Sequence, residues 1–392
     1  MTKLEQLIQE KCPNGVEYLT LGELEDSGRI KLGRGNVISK PEIRDNPGDY
    51  PVYSSSAVNN GMIGTYGKYM FDDERISWSV DGGGKFFYRE PHKYSITNVG
   101  GWLKVLDSNL LTKYLYYVLS NEWSKKHFDY VHKAHPSVIR IEYTLPVPPL
   151  EVQREIVEIL DKFTLLTAEL TAELTARKEQ FQNYLDILFD TSTNNKVKIS
   201  SLGSLQRGKR FVHADAVDDG VPCIHYGELY TYYGVYTQNA RSHIREELRP
   251  KMRYASKGDV IIVGAGENNE DIGVGVVWDG DEDVAVHDAC YTLKHNQNPL
   301  YISYFLRSSS YHRQIKKYVS EGKICAISAD GIGNALIPLP SLDTQEKIAN
   351  TLNSFYSLIN DINEGIPAEI EARQKQYEYY RDKLLTFDKK DI

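Results

Sequence analysis

The sequence predicts an α+β fold: two pseudo-symmetric globular α/β domains joined by two long helices that pack as an antiparallel coiled coil. The first observation is a repeat, because residues 145–156 return as residues 337–348, offset by 192 in a chain of 392 residues. The second is a long one-sided apolar stripe after each copy. The third is that the stretches before the repeats are rich in glycine, tyrosine and β-branched residues. The predicted boundaries are 1–149 and 191–340 for the domains and 150–190 and 341–392 for the long helices.

The two globular stretches follow one plan. The first opens with a short helix over residues 4–10, ended by Pro13-Asn14-Gly15, and becomes helical again over residues 113–128. In the second, strands are predicted at residues 260–263 and 274–278, and a helix over residues 300–319. Residues 21–24 and 116–119 resemble residues 202–205 and 303–306, whereas the loops show no match. A shared scaffold with different loops predicts two domains that recognise different targets.

Both long helices are predicted from apolar residues that recur mostly at spacings of three and four. The first stripe consists of Ile156, Leu160, Phe163, Leu166, Leu170, Leu174, Phe181, Leu185 and Leu188. The second consists of Ile348, Leu352, Phe355, Leu358, Ile362, Ile366, Ile370, Tyr377 and Leu384. So narrow a stripe needs a partner helix, and each is the obvious partner of the other. Gly365 and Pro367 cost about 1 and 3 kcal/mol inside a helix, so we expect a break there.

Bulk properties narrow the function classes. The net charge is −8, but the acidity is concentrated on the long helices, with −5 over residues 150–190 and −3 over 341–392. Each domain is therefore neutral and can carry a basic face. The four cysteines are too widely spaced for a zinc knuckle or a disulfide framework, so no metal is expected. No apolar run of about 18 residues exists, and charges interrupt the N-terminal segment, which favours a cytoplasmic protein.

Catalytic motifs are missing from the sequence. It contains no GxxxxGK[ST] phosphate loop, no [N/D]-P-P-[Y/F] motif of amino-methyltransferases and no H-E-x-x-H pair. The glycine-rich residues 81–85 could cradle a phosphate, but a hairpin turn is the simpler interpretation. The sequence therefore predicts a protein without catalytic residues.

Residues suited to contacting DNA are more numerous. Arginine and lysine hold phosphates, and asparagine and arginine form paired hydrogen bonds with adenine and guanine. The alternative is that these are ordinary turn residues or members of solvated loops. The DNA-binding candidates are Arg34, Ser55, Asn59, Asn60, Lys85, Lys133, His135, Arg207, Lys209, Arg210, Asn268, Asn269 and Lys323.

Three motifs carry a resemblance to a known family. They are the repeat L-P-x-P-P-L-x-x-Q-x-x-I at residues 145–156, the opening at residues 7–18, and the tandem Thr-Ala-Glu-Leu at residues 167–174. Together they resemble specificity (S) subunits of type I restriction-modification systems over the whole chain. The second repeat departs from the first locally, with Ser341 in place of Pro149.

The resemblance implies a function. The two domains would be target-recognition domains that read the halves of a bipartite, asymmetric double-stranded DNA site. Two methyltransferase (M) subunits and restriction/translocase (R) subunits would be the partners. S-adenosylmethionine, ATP and Mg would bind those partners, and this chain would hold no cofactor. The alternatives are a stand-alone DNA methyltransferase or nuclease with duplicated domains, or a coiled-coil protein adaptor.

Overall fold

A computed structural model describes residues 3–56, 58–81, 83–129, 131–191, 193–361 and 363–390. Ala57, Gly82 of the predicted glycine-rich turn and Ile362 of the second stripe lie outside the described residues. The chain divides into two units by its contacts. Unit 1 comprises Met1–Glu169 and Ile370–Ile392, and unit 2 comprises Leu170–Glu369. Each long helical segment therefore contributes to both units.

Unit 1 combines small sheets with short helices. Its helices are α1 (Lys3–Lys11), α2 (Leu21–Asp26), α3 (Lys40–Asp45), α4 (Thr112–Trp123) and α5 (Pro136–Glu142). Its strands are β1 (Glu17–Thr20), β2 (Ile30–Arg34), β3 (Tyr50–Tyr53), β4 (Met62–Tyr66), β5 (Arg75–Ser79), β6 (Phe86–Arg89), β7 (Ser95–Ile96), β8 (Gly100–Val105) and β9 (Thr144–Val147). They form the sheets β2-β8-β5-β6 and β4-β3-β7 and the pair β1-β9. The long helix α6 (Leu150–Thr191) follows.

Unit 2 repeats this arrangement with longer sheets. Its helices are α7 (Glu228–Thr231), α8 (Pro299–Phe305), α9 (Ser309–Ile315) and α10 (Ala329–Gly333). Its strands are β10 (Lys196–Lys198), β11 (Gly203–Arg207), β12 (Ala216–Val217), β13 (Val221–Ile224), β14 (Tyr236–Thr237), β15 (Ser242–Ile244), β16 (Tyr254–Ala255), β17 (Val260–Val263), β18 (Ala265–Gly266), β19 (Gly275–Trp278), β20 (Val284–Val286), β21 (Cys290–His295), β22 (Cys325–Ala326) and β23 (Leu336–Pro338). The sheets are β11-β21-β17-β19-β14 and β12-β15-β13-β20-β16, with the pairs β10-β23 and β18-β22. The strand orders β2-β8-β5-β6 and β11-β21-β17-β19 correspond, which confirms two related domains of an α+β fold.

The second long segment is two helices, α11 (Leu342–Asn360) and α12 (Ile366–Leu384). The predicted break is confirmed, and Pro367 lies in the first turn of α12, where its missing N–H is not needed. In unit 1, Phe163 stacks on Tyr380 with ring centroids 5.6 Å apart, and in unit 2 Phe181 packs on Phe355 at 5.4 Å. The partner numbers fall as those on α6 rise, which is the order of antiparallel helices.

The glutamine of the sequence repeat makes the same buried hydrogen bonds in each unit. The side chains of Gln153 and Gln345 are fully buried. Gln153 Nε2 donates to the carbonyl of Pro148 (2.7 Å), and Oε1 accepts the N–H of Leu111 (2.9 Å). Gln345 does the same with Pro340 (2.9 Å) and Asn298 (3.1 Å). The repeated glutamine thus ties the start of each long helix to the loop before α4 or α8.

Two tyrosines complete this junction in each unit. Tyr114 donates its hydroxyl to the carbonyl of Pro146 (3.1 Å), and Tyr301 donates to that of Pro338 (2.8 Å). The next pair reaches the long helices themselves. Tyr117 bonds Asp161 (2.5 Å) and Tyr304 bonds Asn353 (3.1 Å). Because Tyr117 and Tyr304 occupy equivalent places, the predicted match of residues 116–119 with 303–306 is confirmed.

Some sequence expectations are corrected. The N–H of Leu21 donates to Tyr143 and that of Ile199 to Ala335, so Leu21 corresponds to Ile199. The predicted match of residues 21–24 with 202–205 is therefore wrong. The single helix expected over residues 300–319 is interrupted after Phe305, where Ser308 caps α9. The helix expected over 113–128 ends at Trp123. In the part of the chain that the structure describes, no helix is long and apolar enough to cross a membrane.

Candidate nucleic-acid interface

An arginine–glycine turn ends the first strand of the main sheet in each unit. The Nη2 group of Arg34 donates to the carbonyl of Asn98, and Nε of Arg207 donates to the carbonyl of Asp288 (2.6 Å). The glycines that follow permit a close approach of two backbones. A Cβ on Gly35 would lie 2.0 Å from the Ile96 carbonyl oxygen, and one on Gly208 would lie 2.2 Å from that of His287. Only glycine fits either position, so the turns are built alike.

The position after each glycine keeps its backbone bond and changes its side chain. The N–H of Asn36 donates to Ile96 (3.0 Å), and the N–H of Lys209 donates to Val286 (2.9 Å). Both side chains are exposed. The two units thus present an amide in one case and an ammonium group in the other. The expectation that the loops show no match is wrong here, since the turns match in backbone and differ in side chain.

Behind the turns, one unit has two hydroxyl groups where the other has two imidazoles. The N–H of Thr97 donates to Tyr53 and that of His287 to Ile224, which makes Thr97 and His287 equivalent. Thr97 Oγ1 donates to Ser54 Oγ (2.8 Å). In unit 2 the rings of His225 and His287 lie 4.7 Å apart. We call residues 34–36, 54–55, 97–98 and 133–134 edge 1, and residues 207–209, 225–226, 287–288 and 326–327 edge 2.

The histidines of edge 2 are held neutral. Burial lowers the pKa of both His225 and His287, and the neighbouring His225 and Arg210 lower the pKa of His287 further. The Nδ1 atom of His287 accepts the N–H of Ala289 (3.1 Å), so Nε2 carries the proton and donates to the Phe211 carbonyl (3.2 Å). Edge 2 therefore owes its positive charge to arginine and lysine.

Edge 1 also includes the loop before α5. The N–H of Ala134 donates to Val80, and the N–H of Ile327 donates to Gly264 in the same way. Lys133 pairs with Asp81 (3.0 Å), which neutralises part of its charge. Ser55 lies beside the end of β5, where its carbonyl accepts the Ser79 hydroxyl (3.0 Å). The structure thus brings Arg34, Ser55 and Lys133 to one edge of unit 1.

The remaining candidates of unit 1 lie around that edge. Asn59 and Asn60 are exposed and adopt positive φ angles of 48° and 52°. Lys85 Nζ lies 5.5 Å from the Phe87 ring centroid. His135 caps α5 by accepting the N–H of Ser137, which makes its position structural as well as accessible.

In unit 2, Arg207, Lys209 and Arg210 share edge 2 or its rim, whereas the asparagines form a second group. Asn269 Nδ2 donates to Glu321 (3.0 Å), and Asn268 Nδ2 donates to Asp271 (3.1 Å). Lys323 is exposed in the same loop as Glu321. These carboxylates reduce the positive charge that the second group offers to a phosphate.

Several residues at or beside the two edges were missed by sequence reasoning. They are Asn36, Thr97 and Asn98 in unit 1 and His225, Arg253, His287 and Asp288 in unit 2. Arg253 Nη1 donates to the carbonyl of Arg207 (2.7 Å), which places a second guanidinium beside the turn. A usable signal existed for Asn36, because the dipeptide Arg-Gly precedes it in the first domain and precedes Lys209 in the second.

The chemistry available at these edges is hydrogen bonding and charge attraction. Edge 1 offers amides, hydroxyls, a guanidinium and the partly neutralised ammonium group of Lys133. Edge 2, with Arg253 beside it, offers two guanidinium groups, an ammonium group and a carboxylate. Such groups contact phosphates and base edges. Among the described residues, no cluster of three or more histidine, cysteine, aspartate or glutamate side chains is placed to hold a metal ion.

Comparisons with known proteins all identify the same family. Residues 13–179 and 191–372 match the type I restriction modification DNA specificity domain. A putative type I specificity subunit of Mycoplasma pneumoniae is 30% identical over 371 residues, covering 93% of this chain and 96% of that protein. A type I restriction enzyme specificity subunit of Escherichia coli is 30% identical over 311 residues, which is 72% of each chain.

Solved structures show the same fold. The S subunit of a type I restriction-modification system from M. genitalium aligns with a TM-score of 0.52 at 14% identity, covering 96% of this chain and 98% of that one. A chain from a study of complex assembly and conformational transition of the type I system aligns with a TM-score of 0.63 at 12% identity, covering 95% and 98%. The chain therefore belongs to the specificity subunits of type I restriction-modification systems, which recognise DNA and are not catalytic.

Proposed function

We propose that this chain reads a bipartite, asymmetric DNA site, each unit recognising one half, and that it recruits methyltransferase and restriction subunits to that site. The observation that carries the proposal is the pair of edges. Their backbones are bonded alike, while their side chains differ at most equivalent positions. Two copies of one scaffold with different reading groups suit two different half-sites.

The side chains of the edges support DNA as the ligand. Arg207 is 60% exposed, so it can reach a phosphate while its Nε stays bonded to Asp288. A cleft of about 410 Å³ opens beside it and is lined by Gly264, Asp288, Tyr318 and Ser328 among others. Arginine and lysine would supply the phosphate contacts that fix position, and amide and carboxylate groups the contacts that read bases.

The long helices support protein partners. They carry the acidity of the chain, and large apolar side chains remain exposed on them, including Leu165 at 61%, Ile187 at 58% and Tyr379 at 64%. Acidic helices repel DNA, so these surfaces suit proteins. In the proposal two M subunits clasp the helices, and the R subunits complete a cytoplasmic complex. S-adenosylmethionine, ATP and Mg belong to those partners.

The decisive experiment is reconstitution with a methyltransferase subunit of a type I restriction-modification system. The chain with that subunit is expected to shift a DNA duplex in a gel and to methylate a motif of two short halves separated by an unspecified gap. Sequencing that detects methylated adenine gives the motif. The purified chain alone is expected neither to methylate nor to cleave DNA, because no catalytic motif is present.

The competing functions give different results. Methylation by the chain alone, free of other subunits, would identify a stand-alone methyltransferase. A complex that forms with the subunit but binds no DNA would identify a protein adaptor. A methylated motif that is continuous and not divided would reject the two-reader proposal while leaving family membership intact.

A further inference from the structure

Arg89 is a buried cation whose charge is balanced by no carboxylate among the described residues. Its side chain is 2% exposed at the end of β6. Nε donates to the Ser77 hydroxyl (2.8 Å) and Nη2 to the Asn60 carbonyl (2.8 Å). Within the described residues, no aspartate or glutamate forms an ion pair with it. The opposite residue of the strand pair, Arg75, is also buried but is neutralised by Asp73 at 2.6 Å.

The guanidinium of Arg89 remains charged at neutral pH. Burial lowers the pKa of Arg89 to about 10, which is still well above 7. The group lies 3.5 Å from the Tyr53 ring centroid and 4.9 Å from that of Phe87, so aromatic faces offset part of the cost of burial. A buried charge without a counter-ion costs stability, and an unpaired one suggests a role outside folding.

The contact with Asn60 fixes an unusual turn. Asn59, Asn60 and Gly61 have consecutive φ angles of 48°, 52° and 79°, all in the left-handed region. A Cβ on Gly61 would lie 3.3 Å from Arg89 Nη2, so the arginine packs against the inner side of the turn. The Asn59 and Asn60 side chains are exposed on the outer side. Two amides are therefore presented to solvent directly above a buried positive charge.

The equivalent positions of unit 2 do not hold a buried arginine bonded to a serine. Ala134 donates to Val80 as Ile327 donates to Gly264, so Val80 and Gly264 are equivalent. Counting back along the strands aligns Ser77 with Ile261. The pairing of each strand with its neighbour then aligns Arg89 with Trp278. Two apolar side chains thus occupy the places of the Ser77–Arg89 pair. The scaffold folds without an arginine there, so Arg89 is particular to the turn of unit 1.

We propose that Arg89 is a positioning residue for DNA recognition: it holds the Asn59–Asn60–Gly61 turn so that the two exposed amides contact bases, and its charge attracts the DNA to that turn. The proposal rests on the proposed function and adds the residues by which unit 1 reads its half-site. Adenine is the base that a paired amide contact favours.

The test uses the full chain reconstituted with the methyltransferase subunit and duplexes altered in one half-site at a time. The Asn59→Gly/Asn60→Gly variant removes both amides and keeps a residue suited to positive φ. It is expected to lose about tenfold in discrimination at one half-site, with discrimination at the other half-site unchanged. Arg89→Met removes the charge at similar size and is expected to show the same selective loss.

Two further variants separate positioning from folding. Arg89→Lys keeps the charge and is expected to recover attraction to DNA but only part of the discrimination. Arg75→Met, the matched control, removes a buried arginine that does not touch the turn and is expected to lower the melting temperature without changing either half-site. Unchanged discrimination in the glycine variant would overturn the proposal. So would equal loss at both half-sites, whereas a wild-type complex that binds no DNA would instead reject the proposed function.

Discussion

Units 1 and 2 share the hydrogen bonds that hold their scaffolds together but differ in the side chains at the ends of their strands. Buried Gln153 and Gln345, the tyrosines that bond Pro146 and Pro338, and the two arginine–glycine turns make the same hydrogen bonds in both units. At the exposed ends of the strands the correspondence stops, with Asn36 facing solvent in one unit and Lys209 in the other. The difference teaches that the repeated sequence specifies the attachment of each domain to its helix, while the side chains that we propose for recognition lie outside the repeat.

Exchange of one domain is the strongest test of whether the two units recognise DNA independently. Replacing residues 15–145 with the corresponding segment of a relative is expected to change one half of the methylated motif completely and to leave the other half unchanged. The reason is that edge 1 lies within the replaced segment and edge 2 does not. Sequencing of methylated adenines measures the outcome, and a change in both halves would show that the units do not read independently.

Equivalent buried glutamines test whether the two junctions are energetically equal. Gln153→Ala and Gln345→Ala each leave buried backbone groups without partners, so each is expected to cost roughly 1–3 kcal/mol of unfolding free energy. Denaturant unfolding of the full chain measures both, with Glu151→Ala, an exposed neighbour, as the control. A large cost for one variant and none for the other would mean that the repeat serves different purposes in the two units.

Sequence reasoning succeeded where the repeat imposes structure and failed where the fold brings distant residues together. The long helices, the break at Gly365 and the match of Tyr117 with Tyr304 follow from periodicity and spacing. Arg89 was missed because its importance depends on Asn60, 29 residues away. It also depends on the lack of a carboxylate partner in the described part of the chain, which only the folded structure reveals. The likeness of the two arginine–glycine turns was missed because the flanking side chains differ.

The hydroxyl pair of unit 1, Ser54 and Thr97, and the imidazole pair of unit 2, His225 and His287, should affect the acid stability of the chain differently. Burial lowers the pKa of His225 and His287, so folding favours their neutral forms. This stability is present above the unfolded pKa of about 6.5 and is lost as the pH falls towards the folded values. The double variant His225→Ser/His287→Thr copies Ser54 and Thr97 of unit 1.

The free energy of unfolding at pH 7.5 and at pH 5.5 tests this expectation. The wild-type chain is expected to lose more stability between the two values than the double variant does. Any cavity left by the smaller side chains acts at both pH values and cancels in the difference. The same loss in both proteins would show that the histidine pair does not govern acid sensitivity.

The smallest expected effect is a change in salt dependence at one equivalent position. Lys209 and Asn36 follow the two glycines, and only Lys209 is charged. If Lys209 contacts a phosphate, Lys209→Ala should weaken binding to all sequences and lower the slope of log K against log salt by roughly one. Asn36→Ala should leave the slope unchanged, because an amide releases no counterion.

Adding Arg210→Ala to the lysine variant should lower the slope further, towards a total of about two. Binding measured between 50 and 200 mM salt, about the range in which such slopes are resolved, decides the matter. Weaker binding with an unchanged slope would mean that the arginine–glycine turn of unit 2 does not contact the DNA backbone, and the expected electrostatic difference from the arginine–glycine turn of unit 1 would disappear.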